Sequence, residues 1–295
     1  MAFLDLLLFT RPKQWTKNLL VFAAPLFVSD QLEPGALSKS LVAFAAMCLA
    51  SGAVYAFNDL SDVEQDRAHP TKRNRPVASG RIGRGEAGFI GALELIGALA
   101  LAWAIGAKPF IVVLVYVGLQ AVYVLGAKRV PVTDVFLIGT GFVLRAALGA
   151  IAIQVQISAW LLLCTGALAL LLGFGKRRSE FVLQGDARAA SRESLGAYSK
   201  QALDVLVTAC ATVAAICYGI YAVESQTAKS HPALILSSVF VFYGICRYLF
   251  LAFGADEGGE PETLLLTDVH LIASVVLFVG SVLLAFSGFR MGFVN

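Results

Sequence analysis

The sequence predicts an all-α, polytopic membrane bundle, and three observations carry that prediction. Of 295 residues, 58% are hydrophobic and only 15% charged, with a mean hydropathy of +0.77. A soluble domain averages about 45–50% apolar and about 25% charged. The apolar residues gather into nine segments that read as membrane spans. None of these alternates in the way a barrel strand does. A soluble enzyme, a disordered chain and a secreted disulfide scaffold are all excluded. The five cysteines (Cys48, Cys164, Cys210, Cys217 and Cys246) sit inside apolar stretches with no C-x-x-C pair, which argues against zinc and disulfides alike.

In chain order the segments cover residues 16–30, 37–57, 86–105, 109–127, 131–152, 158–175, 200–223, 232–253 and 268–288. Residues 1–10 are apolar but too short to span, and they lack a small-residue cleavage site. They read as an interfacial helix. The 27 glycines suit close packing of membrane helices. With no linker or separate soluble part, residues 1–295 are expected to form one transmembrane domain.

The positive charges set an orientation. With the N-terminus in the cytoplasm, 17 Lys and Arg fall inside and four outside: Lys39, Lys108, Lys229 and Arg290. That asymmetry follows the positive-inside rule, so nine spans put the N-terminus in and the C-terminus out. The long charged loops, 58–85 and 176–199, then both face the cytoplasm, and the function is expected there. The small net charge of +3 gives no reason to expect nucleic acid as a partner.

The chemistry concentrates at the end of the second span, Tyr55-Ala56-Phe57-Asn58-Asp59-Leu60-Ser61-Asp62, followed by Asp66. If the helix continues, Asn58, Asp62 and Asp66 recur every four residues and cover an arc of about 80°. Tyr55 shares that face. Stacked carboxylates repel, so they call for lysines or a bound Mg²⁺. The latter favours one or two carboxylates, an amide oxygen, water and substrate phosphate oxygens. His69-Pro70-Thr71-Lys72-Arg73-Asn74-Arg75 follows directly, and its cations suit a substrate with several phosphates. Lys17, Lys128 and Lys176 each mark a cytoplasmic helix end, and Arg145 lies about 16 Å along a helix beyond Asp134. An arginine that deep requires a polar partner. A substrate phosphate meets that need, and so does a carboxylate such as Asp134 or Glu94. The four cations are expected to converge on one cytoplasmic mouth.

The pattern Asn58-Asp59-x-x-Asp62-x-x-x-Asp66 after the second span resembles the first signature of the UbiA superfamily of intramembrane prenyltransferases. The resemblance covers the whole chain. Within the superfamily the sequence is most similar to the decaprenyl-phosphate phosphoribosyltransferases. The supporting residues are Arg11 to Asn18 with Trp15, the run from Tyr123 to Asp134, and Gly175-Lys176-Arg177-Arg178 with Glu180. Arg247-Tyr248, Gly258-Gly259 and Pro261-Glu262 add to them. The aromatic-prenylating branch resembles itself in a second Asp-rich motif. Here that loop keeps only Gly185 and Asp186, with Ser179 at the first carboxylate position.

The resemblance implies transfer of 5-phosphoribose from 5-phosphoribosyl 1-diphosphate (PRPP) to a polyprenyl phosphate in a bacterial plasma membrane. The product would feed arabinose or ribose donors for the cell envelope. Mg²⁺ would be held by Asn58, Asp62 and Asp66, with Asp59, Asp62 and Asp66 as catalytic residues. Lys72, Arg75, Lys128 and Arg145 would bind donor phosphates, Lys17 the donor's 5-phosphate, and Lys176 with Arg177 the acceptor phosphate. Tyr55 would position the donor. The protein would act as a single subunit or a homo-oligomer. Prenylation of an aromatic head group, or a transporter with inverted repeats and a midplane site, are the competing readings. The degenerate second motif argues against the first, and the position of the acidic motif at a helix end against the second.

Overall fold

A computed structural model describes residues 9–27, 32–68, 72–184, 193–254 and 261–289. Among these residues there are only helices and turns. A 3₁₀ helix, Pro12–Phe22, leads into α1 (Ala23–Phe27). Then follow α2 (Ala36–Ser61), α3 (Val63–Ala68), α4 (Arg84–Ala104), α5 (Ala107–Leu125), α6 (Thr133–Ala152) and α7 (Ala159–Gln184). The chain continues with α8 (Glu193–Gly196), α9 (Lys200–Glu224), α10 (Gln226–Ser230), α11 (Leu236–Gly254), α12 (Pro261–Thr267) and α13 (Val269–Phe286).

Eight described helices are long and apolar enough to cross a membrane: α2, α4, α5, α6, α7, α9, α11 with the turn before it, and α13. These match eight of the nine expected segments. The remaining one, 16–30, differs in kind. It is 3₁₀ over Pro12–Phe22, α-helical only over Ala23–Phe27, and its last residues lie outside the described ones. A 3₁₀ helix rises about 2.0 Å per residue, so its eleven residues reach about 22 Å. The same residues would reach only about 16 Å as an α-helix. The interfacial helix expected at 1–10 falls almost wholly outside the described residues.

The chain divides into two compact units. The first takes the described residues to Leu26, then Leu32–Gly126 and Leu144–Gln156; the second takes the rest. In the first unit α2 and α4 pack along small residues, Ala43, Ala46, Ala50 and Ala53 with Gly91, Ala98 and Ala102. Without a hydrophobic drive between helices in lipid, close backbone approach supplies the attraction. In the second unit α7 and α9 pack most extensively, around Val135, Leu171, Phe174, Leu203 and Val207. Large apolar side chains such as Phe89, Trp103, Phe242 and Phe250 point outward, as a lipid solvent permits.

One contact fixes the 3₁₀ segment. Pro25 has no N–H to offer the Val21 carbonyl four residues back. That carbonyl lies against Gly149 of α6, where an added Cβ would collide with the oxygen. We therefore expect Gly149→Ala to displace the segment and to destabilise the protein by about 1–3 kcal/mol. Thermal unfolding in detergent measures the loss, and an unchanged midpoint would show that the backbone contact is not rigid.

Candidate active site

The acidic helix end is nearly one continuous helix. Asp62 breaks the α-geometry at φ −101°, yet its N–H still donates to Asn58 O at 3.0 Å, and Asp66 N–H to Asp62 O at 2.8 Å. Asn58, Asp62 and Asp66 thus keep their four-residue register. Asp59 and Asp66 are seven apart, about 20° from each other around the axis, and both are buried. Asn58 and Asp62 are only half-buried.

The buried pair is neutralised internally. Arg75 Nη1 donates to Asp59 Oδ1 at 3.1 Å and to Asp66 Oδ2 at 2.7 Å. Arg11, left-handed at φ 49°, also donates to Asp59, and its guanidinium lies 4.7 Å over the Tyr55 ring. The Tyr55 hydroxyl donates to Gln14 Oε1 at 3.4 Å. Arg75 thus serves two carboxylates, Asp66 pairs with that arginine, and Asp59 anchors two arginines. One physical reason covers all three. Two like charges on one buried helix face are costly until a cation lies between them.

Asn58 and Asp62 remain as an amide oxygen and a carboxylate on the more open face. Among the described residues no group of three or more His, Cys, Asp and Glu gathers to hold a metal. One carboxylate and one amide still fit Mg²⁺, which keeps several waters and takes further ligands from substrate phosphates. Lys72 is exposed on the 3₁₀ turn Lys72–Asn74. His69, Pro70 and Thr71 lie outside the described residues. Lys17 is half-buried on the first 3₁₀ helix.

Arg145, 5% exposed, bonds several neutral groups. Nε donates to Asn18 Oδ1 at 2.7 Å, while Nη2 donates to Tyr116 at 3.0 Å and to Ser51 at 3.3 Å. The guanidinium also lies 4.8 Å over the Tyr116 ring. Of the two carboxylates expected as internal partners, Asp134 bonds Arg177. Glu94 instead presses on Gly52, and its Oε2 has no hydrogen-bond partner. Uncharged oxygens can satisfy a guanidinium because its charge is spread over a planar fork of five donors.

In the second unit Asp134 is fully buried and accepts four donors. They are Arg177 Nε (2.9 Å), Val135 N–H (2.9 Å), Ser194 Oγ (3.4 Å) and the Tyr198 hydroxyl (3.4 Å). Arg177 also donates to Glu180 at 2.7 Å. It is a buried partner of Asp134. Lys176 and Lys128 are half-buried, Lys128 on the 3₁₀ turn Ala127–Arg129. Burial pushes the Tyr198 hydroxyl above its ordinary range, which keeps it a donor. Arg178 donates to Asp204 and to the Ala252 carbonyl. Arg247 grips Asp268, the cap of α13, through two bonds of 3.2 and 2.7 Å. That grip holds the Asp268 carboxyl down to about 2. Gly185, Asp186, Gly258 and Gly259 lie outside the described residues.

Sequence reasoning missed Arg11 as a partner of Asp59, and it missed Tyr116, Tyr198 and Arg178. A usable signal existed for Tyr116 and Arg178, since a polar group within an apolar helix must find a partner. None existed for Tyr198.

Residues 19–257 match the UbiA prenyltransferase family. A decaprenyl-phosphate phosphoribosyltransferase of Mycolicibacterium smegmatis is 35% identical over 92% of this chain and 89% of its own. One from Mycobacterium tuberculosis is 36% identical over 88% and 86%. Among solved structures, a UbiA homologue from Archaeoglobus fulgidus bound to GPP and Mg²⁺ superposes with a TM-score of 0.73 at 19% identity, over 96% of this chain and 99% of that one. At that identity the likeness concerns the fold.

Two expectations follow from the geometry. Asp59→Asn removes the shared acceptor of two arginines and lowers stability by about 1–3 kcal/mol, more than Asp62→Asn does at its half-buried position. Equal losses in thermal unfolding would contradict the division into a buried face and a less buried one. Arg145→Ala loses about 1–3 kcal/mol. Adding Asp134→Asn does not restore it, because the carboxylate belongs to Arg177; recovery of the midpoint in the double variant would reinstate an Arg145–Asp134 pair.

Proposed function

The chain belongs to the UbiA prenyltransferase family, and on that premise we propose that it transfers 5-phosphoribose from PRPP to a polyprenyl phosphate. The observation that carries this reading is similarity along almost the whole length to relatives named for that acceptor and reaction. The open Asn58–Asp62 face is compatible with it. The cytoplasmic placement of that face is part of the proposal and rests on the 17 to 4 distribution of positive charge. So are a bacterial plasma membrane as the location and a role in cell-envelope synthesis.

The mechanism follows from the substrates' charges. The acceptor phosphate oxygen is already an anion at neutral pH, so its attack on the anomeric carbon needs no general base. The difficulty lies in charge accumulating on the departing diphosphate. Asn58 and Asp62 would hold Mg²⁺ there, and the ion would supply Lewis-acid stabilisation of the leaving group. Lys72 and Lys128 bind donor diphosphate oxygens, and Lys17 binds the 5-phosphate. Lys176 binds the acceptor phosphate. Tyr55, steadied by Arg11 and Gln14, positions the donor. Asp59, Asp66, Arg75, Arg145 and Arg177 act through other residues, by keeping the machinery in place.

The test is a membrane assay with radiolabelled PRPP and polyprenyl phosphates of several lengths, with and without Mg²⁺. Asp62→Ala abolishes transfer while the protein stays folded. Lys72→Ala raises the PRPP KM by roughly tenfold or more, the worth of one charge-assisted contact of about 1.5–3 kcal/mol, and leaves the acceptor KM unchanged. Transfer by Asp62→Ala at saturating Mg²⁺, or a rise in the acceptor KM alone, would refute these roles. No label passing from PRPP to the lipid, with prenyl transfer from a separately labelled prenyl diphosphate to an aromatic acceptor, would refute the reaction itself.

A further inference from the structure

We propose that Tyr198 is a positioning residue: by holding Val132 in a left-handed backbone conformation it fixes the turn that carries Lys128. The proposal rests on the reading of Lys128 as a phosphate ligand. Val132 has φ 67°, a region that a β-branched residue rarely enters and that persists only where surroundings over-determine it. The hydroxyl of Tyr198 accepts the Val132 N–H. That N–H is one of the donors a helix start leaves without an intrahelical partner. The hydroxyl is itself held by the buried Asp134 carboxylate, which Arg177 anchors. On the other side a series of backbone bonds ties the turn together. Phe136 N–H donates to Val132 O at 2.9 Å, Asp134 N–H to Val130 O at 3.1 Å, and Val130 N–H to Ala127 O at 3.1 Å. Lys128 lies within this closed stretch. Without the hydroxyl, Val132 relaxes toward negative φ, the peptide before it rotates, and Lys128 moves with the turn.

Glycine enters the left-handed region at no steric cost, so Val132→Gly makes the hydroxyl dispensable. A purely packing role for Tyr198 would gain nothing from that change. The experiment uses the full-length enzyme in detergent and compares Lys128→Ala, Tyr198→Phe, Val132→Gly and the Tyr198→Phe/Val132→Gly double variant. It measures kcat, the PRPP KM and the thermal midpoint. Tyr198→Phe is expected to raise the PRPP KM about tenfold and to lower the midpoint. The double variant is expected to return to within about twofold of wild type in KM and to recover the midpoint. A double variant no better than Tyr198→Phe overturns the proposal, as does a Tyr198→Phe enzyme with unaltered KM and midpoint. If Tyr198→Phe does not fold, recovery of folded protein in the double variant supports the proposal and failure to recover it overturns it. A Lys128→Ala enzyme with normal PRPP KM would instead remove Lys128 from the site, and the midpoints would still decide the coupling of Tyr198 to Val132.

Discussion

Two carboxylates on one buried helix face repel each other, and the Arg75 guanidinium between Asp59 and Asp66 is what permits the arrangement. The rest of the acidic helix end depends on it. With Asp59 and Asp66 neutralised, Asn58 and Asp62 occupy the less buried side as an amide oxygen and a carboxylate. A metal cage of three carboxylates would bind a cation in the absence of substrate. An amide and one carboxylate leave coordination positions open, which suits an ion that arrives with phosphate ligands.

The same logic of internal compensation governs the other buried cations. Arg177 meets a fully buried carboxylate that collects four donors. Arg178 uses Asp204 and a backbone carbonyl. Arg145 is served by an amide, two hydroxyls and an aromatic face. In hydrocarbon an uncompensated charge costs several kcal/mol, and these three buried arginines each have internal partners. The lysines differ. Lys17, Lys72, Lys128 and Lys176 all keep some exposure near helix ends or on turns. A compact ammonium on a flexible stem is a point charge rather than a planar fork, which suits the phosphate contacts proposed for them.

Backbone irregularity accompanies these ties. The 3₁₀ helix at Pro12–Phe22 begins at left-handed Arg11, which bonds Asp59, and it lays the Val21 carbonyl on Gly149. The turn before α6 contains left-handed Val132 beside Asp134 and Tyr198. In each case a polar side chain that has come from far along the chain stabilises a conformation the local sequence disfavours.

The sequence by itself determined the all-helical membrane class and eight of the spans. It also marked the acidic motif and the family, because composition, apolar run length and a four-residue spacing are local properties. It placed Asn58 and Asp62 on one face for the same reason. Only the tertiary structure decided that 16–22 is a 3₁₀ helix, that Asp59 and Asp66 belong to Arg75, and that Arg145 rests on Asn18, Ser51 and Tyr116. Those partners lie 9 to 127 positions apart in sequence. A spacing rule reaches only one or two helical turns, whereas a buried charge takes whichever donor or acceptor the packing of other helices brings within 3 Å.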